Sequence, residues 1–277
     1  RATFCKHPWS IGGGGAADVS EGIAAAATRT LGEVAKEIGV FGMTNADEVM
    51  LAPESAFSRK GVEARFTRSM VLGDLVRDWS VTPTASALYP YDDRAVVPLD
   101  QAPGLARWMW PCRTVLGNRA TFAKLTYFQE GRPWWEWHQI ALRRAVGPTI
   151  TFAFVSTHNH FVLEQSGKVF KQSAPIIKLP AGSSEDDHLA LLGLLNSSVA
   201  CFWMQQVFHN KGGPGGGSSK DEKWHDFYEI ASTKLADFPV VDRAPLSYSR
   251  RIDDLARELA SVQPQALMAL PKMATSA

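Results

Sequence analysis

Two histidines, His158 and His160, stand two residues apart with Asn159 between them. On an extended strand, residues i and i+2 share a face, so this spacing suits metal chelation or proton transfer. No third ligand stands at a spacing that completes a metal site. The reading carried forward is therefore hydrogen bonding from a turn, with no metal. A second group is Trp134, Trp135 and Trp137, set among Arg132, His138, Arg143 and Arg144 in a chain with nine tryptophans. Indole rings stack on bases or wedge between them while guanidinium groups meet phosphate. The same rings serve equally as core or interface, and both readings stay open.

Other motifs carry less chemistry. The run Trp9 to Ala17 (WSIGGGGAA) has the glycines of a phosphate loop, but no GKS or GKT follows it and no apolar strand precedes it. It reads as a flexible joint. No GxSxG elbow is present, and Asp186-Asp187 and Asp253-Asp254 read as helix-start and surface charges. No catalytic or cofactor-binding residue is assigned. The three cysteines are odd in number and form no CxxC, which fits a reducing, cytoplasmic setting without a disulfide framework or zinc site. No run of about 18 apolar residues marks a membrane span, and the chain opens on Arg1 without a leader pattern, as a fragment of a longer protein would.

Charge is more informative than composition. The whole chain carries a formal +1, yet residues 101–180 hold ten Lys or Arg against three acids. A block this basic suits a polyanionic partner, or it is a solvated face.

The elements that must position these residues centre on Ile150 to Pro180. Ile150, Phe152 and Phe154 alternate with Thr151, Ala153 and Val155, the period of a half-buried strand. Phe161 to Leu163, Val169-Phe170 and Ile176-Ile177 predict further short strands, with a tight turn at Gly167. Upstream, Asp18 or Ser20 is placed to cap a helix running to about Glu37, with Gly39 as its stop. A short strand is expected between Val40 and Leu51, and loops with short strands over 65–98. Leu105, Trp108, Met109, Cys112 and Leu116 predict a helix that Pro111 splits, and Phe122 to Phe128 a short continuation. Ser184 with Asp187 forms a capping box for a helix to about Asn196, and Ser197 or Ser198 caps the next. A glycine loop, a short strand near Trp224 to Ile230, a short helix before Pro239 and a helix over Ile252 to Leu259 complete the chain, with a loose tail past Pro264.

In order and spacing, Pro175-Ile176-Ile177, then Leu194-Leu195-Asn196-Ser197-Ser198, the glycines from Gly212 to Gly217, Phe227-Tyr228-Glu229, Thr233-Lys234-Leu235 and Phe238-Pro239 form a recognisable set. They resemble the C-terminal target-recognition (TaqI-like specificity) region of type IIG adenine-specific DNA methyltransferases, above all the PglX enzymes of BREX phage-exclusion systems. The likeness covers about Trp9 to Val240. It implies an α+β fold, a small mixed or antiparallel sheet with flanking helices. In such enzymes a separate domain binds S-adenosylmethionine and uses an [ND]PP[YF] motif on a flipped-out adenine. This chain has neither that tetrapeptide nor an FxGxG-type loop, and Asp237-Phe238-Pro239 is not a substitute. The expected division is a junction segment over 1–100 following the absent catalytic domain, a DNA target-recognition domain over 101–240, and a C-terminal helix with tail over 241–277. The expected partners are duplex DNA, the methyltransferase domain and other defence-system subunits, with no membrane. From charge and placement, His158, Asn159, Lys168, Lys171 and Gln172 are candidates for contact from the sheet turns. Arg143, Arg144, Lys211 and Lys220 are candidates for the phosphate backbone. A protein-interaction module docking through the Trp-rich segment is the alternative.

Overall fold

Ile150 to Pro180 does fold as short strands, but its first strand is covered on both faces. The computed structural model describes residues 14–77, 79–92, 95–144, 147–211, 227–242, 244–264 and 266. Helix α1 (Ala16–Ala26) leads through β1 (Arg29–Thr30) and α2 (Leu31–Val34) to β2 (Glu37–Gly39). Next come β3 (Gly42–Met43), α3 (Asp47–Met50), β4 (Leu51–Ala52), α4 (Glu54–Arg59), β5 (Thr67–Val71), β6 (Val76–Arg77), β7 (Ser80–Val81) and β8 (Ala85–Leu88). Helices α5 (Pro103–Met109), α6 (Arg113–Gly117) and α7 (Tyr127–Glu130) precede β9 (Gln139–Ile140). The β-rich stretch holds β10 (Thr149–Phe152), β11 (Val155–Ser156), β12 (Phe161–Glu164), β13 (Val169–Phe170) and β14 (Ile176–Lys178). Then follow α8 (Glu185–Leu195), α9 (Ser198–Val207), β15 (His209–Asn210), β16 (Tyr228–Glu229), α10 (Ser232–Leu235), β17 (Pro239–Val240) and α11 (Leu246–Val262).

The central sheet runs β12-β10-β14-β2, every pair antiparallel. A second four-stranded sheet, β13-β5-β8-β4, is mixed, because β13 joins β5 in parallel. The α+β expectation of small mixed and antiparallel sheets with flanking helices holds. Strands from both sides of residue 100 share these sheets, since β2 pairs with β14 and β5 with β13.

Alternation along the central strands sends side chains into two separate cores. Ile150, Phe152, Phe161, Leu163 and Ile177 join Leu189, Leu192, Leu195 and Met204 of the helical layer. Ala153, Val162 and Ile176 join Phe41, Met70, Leu105, Trp134 and Trp137 of the loop-rich layer. All four residues of β10 are buried, so the half-buried strand read from the alternation is corrected. Its polar member, Thr151, is satisfied by donating to the Pro175 carbonyl at 3.1 Å. Full burial of an Ile or Phe side chain stabilises the fold by roughly 1.5–3 kcal/mol each.

Two helix expectations are corrected as well. The helix over Ser20 to Glu37 breaks after Ala26, because Arg29 and Thr30 pair with Val240 and Pro239, and Glu37 to Gly39 enter the central sheet. Asp18 and Ser20 lie inside α1, whose N-cap is Gly15. Phe122 to Leu125 is not helical. Ala120 bridges to Thr126, and α7 starts only at Tyr127, where Gln129 N donates to Thr126 Oγ1 at 3.2 Å. The split at Pro111 is present as a single 3₁₀ turn, Trp110–Cys112, between α5 and α6. Ser184 and Ser197 cap α8 and α9 through Asp187 N and Ala200 N. Helix α11 starts earlier than the sequence pattern places it, at Leu246.

Candidate nucleic-acid interface

The basic residues gather most closely at the free edge of the central sheet. Strand β2 is the last strand, and its Glu37 lies opposite Lys178 of β14. The Lys36 backbone N–H donates to the Lys178 carbonyl at 2.8 Å, which fixes this corner. The pairing of β9 with β3 returns the chain to the same edge, and the 3₁₀ turn Leu142–Arg144 follows it. Arg143 Nε donates to Glu37 Oε1 at 2.8 Å and Arg144 Nε to Glu37 Oε2 at 2.5 Å. Arg144 also donates to the Val40 carbonyl, lying against Gly39, where a Cβ would come 3.3 Å from its Nη1.

Lys36, Glu37, Arg143, Arg144 and Lys178 thus line one recess of about 150 Å³ with Leu179 and Ala181. The hydrogen bond from Arg144, helped by Arg143, outweighs burial and holds the Glu37 carboxyl below the usual range. Burial lowers Lys178 to about 8, partly offset by Glu37. Its Nζ donates to the Gly147 and Pro148 carbonyls at 2.9 and 3.1 Å. Four cations against one carboxylate make a local positive site of the kind that binds phosphate oxygens. Arg143 is 73% exposed, and its bond to Glu37 uses Nε, which leaves its Nη fork to donate.

The turn residues divide into committed and open side chains. Asn159 donates both amide protons, to the Leu195 carbonyl at 2.7 Å and the Ser197 carbonyl at 3.1 Å, so it ties this turn to the α8–α9 junction. His158 is exposed and its Nδ1 lies 2.9 Å from Thr157 Oγ1, with the buried His160 ring 4.1 Å away between centroids. Lys168 is half-buried, pairs with Glu164 and donates to Ser166 Oγ at 2.7 Å. Burial opposes ionisation of Glu164, but Lys168 and Ser166 outweigh it and hold its carboxyl below the usual range. Lys171 pairs with Asp47 of α3, and Lys211 with Glu229 of β16. Gln172 is exposed. Lys220 and the glycine run Gly212 to Gly217 lie outside the described residues.

The tryptophans of the Arg-rich segment are mainly core. Trp137 is 1% exposed and its Nε1 donates to the Leu88 carbonyl at 2.7 Å. Trp134 is buried, and Trp135 Nε1 donates to the Val97 carbonyl at 3.0 Å. Arg119 is buried too, with its guanidinium donating to the carbonyls of Leu116, Thr44, Trp134 and Glu136 and lying 4.3 Å from the Tyr127 ring centroid. The basic block is therefore partly internal. What remains exposed is a patch the sequence pattern did not single out. Its centre is Trp110 and Phe128, with the Arg113 guanidinium over both at 5.5 and 5.0 Å, while Val115, Phe122 and Leu125 are exposed in the same stretch of sequence.

No protein-family model matches the chain. It is 44% identical over 274 residues to the adenine-specific methyltransferase PglX of Streptomyces coelicolor, an alignment that takes in 96% of this chain and 22% of that protein. The chain therefore spans about a fifth of that relative's length. Its fold resembles part of the type IIL restriction–modification enzyme MmeI, solved in complex with DNA (TM-score 0.54, 12% identity, 86% of this chain and 29% of that one). It also resembles part of the type IIG restriction endonuclease BpuSI (TM-score 0.51, 8% identity, 88% and 28%). The PglX-like character read from the motifs holds along nearly the whole chain.

Proposed function

We propose that this PglX-like segment is the DNA-gripping and target-reading part of an adenine-specific DNA methyltransferase, working in the cytoplasm within a restriction–modification or BREX-type phage-defence system. Methyl transfer from S-adenosylmethionine to adenine N6 then belongs to a part of the enzyme outside this chain, because neither an [ND]PP[YF] tetrapeptide nor an FxGxG loop occurs here. The observation that carries the reading is the recess of Lys36, Arg143, Arg144 and Lys178 around Glu37. It offers charge-assisted donors to a phosphodiester from a rigid sheet edge, and contacts of this kind set position and affinity while turn residues read bases. His158 and Gln172, exposed at the turns beside this sheet, are the base-edge candidates whose side chains stand open.

Fluorescence anisotropy with a duplex of about 25 base pairs, read from 50 to 200 mM salt, tests this. Binding is expected to weaken steeply with salt, and Lys36→Ala with Arg143→Ala to reduce the log–log salt slope by about two. Absence of duplex binding at low salt, by this chain and by the full-length enzyme, would overturn the reading.

The exposed aromatic patch supports a second reading, docking of the methyltransferase part or another defence subunit. Under it, Trp110→Ala with Phe122→Ala abolishes partner binding, while Arg143→Ala leaves it unchanged.

A further inference from the structure

Helix α11 presents two unlike faces. Its inner face is pinned to α8. Ser249 and Asp253 are buried, and Arg250 pairs with Asp186. Arg257 meets Asp253 at 2.7 Å and Glu185 at 3.8 Å. The contact is close enough that a Cβ on Gly193 of α8 would fall 1.7 Å from Ser249 Oγ. The outer face carries Tyr248, Ile252, Leu255, Leu259 and Val262, each between 42% and 74% exposed. Their spacing is four, three, four, three residues. A single exposed Leu needs no explanation, but a heptad stripe over about 21 Å of helix is the seam of a helix pair.

The flanking charges decide which helix fits. With Ile252 and Leu259 at the a positions and Tyr248, Leu255 and Val262 at d, the exposed g positions are Arg251 and Glu258. The e positions, Ser249 and Ala256, lie toward the protein's own body. In a parallel pair, g residues face e residues, and Arg251 and Glu258 would meet Ala256 and Gln263 without any charge match. In an antiparallel pair, g faces g. The register that stacks Ile252 on Leu255 of the second helix, and Tyr248 on Leu259, also sets Arg251 opposite Glu258. Apolar layers and charges agree in one register, and that register is self-complementary.

We propose that α11 pairs antiparallel with the α11 of a second copy of this chain, about a two-fold axis between positions 253 and 254. Two helices of this length form an interface at or below the lower end of the stable class, about 1,200 Å². The dimer is accordingly weak and concentration-dependent.

Sedimentation velocity of the 277-residue chain from about 1 to 100 µM tests this, a range set by the small interface. The expected result is a mass that rises from one copy toward two. Ile252→Glu with Leu259→Glu should hold the chain at one copy, with an unchanged melting temperature because both side chains are exposed. Glu258→Arg should weaken the dimer by at least about tenfold, and Arg251→Glu combined with Glu258→Arg should restore it. A chain that stays single throughout the range overturns the proposal, as does a dimer indifferent to Ile252→Glu with Leu259→Glu. A dimer unaffected by Glu258→Arg overturns the antiparallel register.

Discussion

On one face of the central sheet, residues 41–140 build a core from short strands, 3₁₀ turns and tryptophans. On the other, the leucines of α8, Ala200 and Met204 of α9 and Leu235 of α10 lie against the same strands, with Leu246 of α11 packed beside them. The loop-rich layer leaves many carbonyls outside regular ladders, and buried cations collect them. Arg119 takes four, from Thr44, Leu116, Trp134 and Glu136. Lys178, on the Ile176 side of its strand by alternation, takes those of Gly147 and Pro148. The helical layer satisfies most of its backbone within its helices and caps, with Asn159 taking the Leu195 and Ser197 carbonyls where α8 meets α9. One face is thus held mainly by buried cations at long range in sequence, the other mainly by helix-internal hydrogen bonding and shape, with the exposed pairs Arg250–Asp186 and Arg257–Glu185 added between α11 and α8.

Arg119→Met breaks that contrast at its most sensitive point. It removes the guanidinium from the Thr44, Trp134 and Glu136 carbonyls, while Leu116 keeps the Arg119 backbone N–H, and it unties the segments at 44 and 134–136. The expected loss is about 3 kcal/mol or more, the cost of leaving buried carbonyls unsatisfied, read by urea unfolding. A loss below about 1 kcal/mol would show that the tryptophans alone hold this layer.

The Lys178 ammonium gives the same face a pH signature. Its pKa is about 8 in the folded protein against a usual 10.5. Between those values the unfolded state holds more protons, so stability rises with pH across the window. The burial penalty is full below pH 8 and relieved above it. The rise amounts to about 3 kcal/mol in all, and Lys178→Met should flatten it. Thermal melts from pH 7 to 10.5, wild type against variant, measure this directly.

Shape dominates the helical face. Gly193→Ala places its Cβ 1.7 Å from Ser249 Oγ and 2.8 Å from Ser249 Cβ, so α11 must shift off α8. Overpacking of this kind costs about 1–3 kcal/mol. The loss should be independent of pH between 7 and 10.5, which separates it from the effect at Lys178.

The same contrast governs what could be read from the chain. Caps at Ser184 and Ser197 and the leucine period of α8 are visible because every partner lies within four residues. The helix expected over Ser20 to Glu37 failed because its breaking partners, Pro239 and Val240, lie some 210 residues on. The basic excess of residues 101–180 was real in composition, yet Asp47 takes Lys171 and Glu37 takes Arg143 and Arg144 from more than a hundred residues away. Only at Arg143 does the pairing leave a guanidinium largely exposed. The Trp-rich segment was ambiguous for the same reason. Nothing local shows that Trp137 points at Gly42, where even a Cβ would come within 2.8 Å of the indole.

The smallest expected effect lies in the most local device. Ser184 N and Oγ donate to Asp187 Oδ2 at 2.7 and 2.8 Å, and Oγ accepts from Asp187 N at 3.2 Å. These bonds, the side-chain one foremost, hold the Asp187 carboxyl below the usual aspartate range. A carboxyl with a lowered folded-state pKa stabilises above its unfolded value and loses that contribution as pH falls through the folded one. Ser184→Ala should therefore cost about 1 kcal/mol near neutral pH, with a smaller further loss on acidification than wild type shows. It should leave the Lys178 window between pH 8 and 10.5 unchanged, since the hydrogen bonds of the cap close within residues 184–188 and Lys178 donates to Gly147 and Pro148. A Ser184→Ala protein that also loses its alkaline rise would show that the two faces are coupled through the sheet, and that the separation between charge-held and shape-held layers is false.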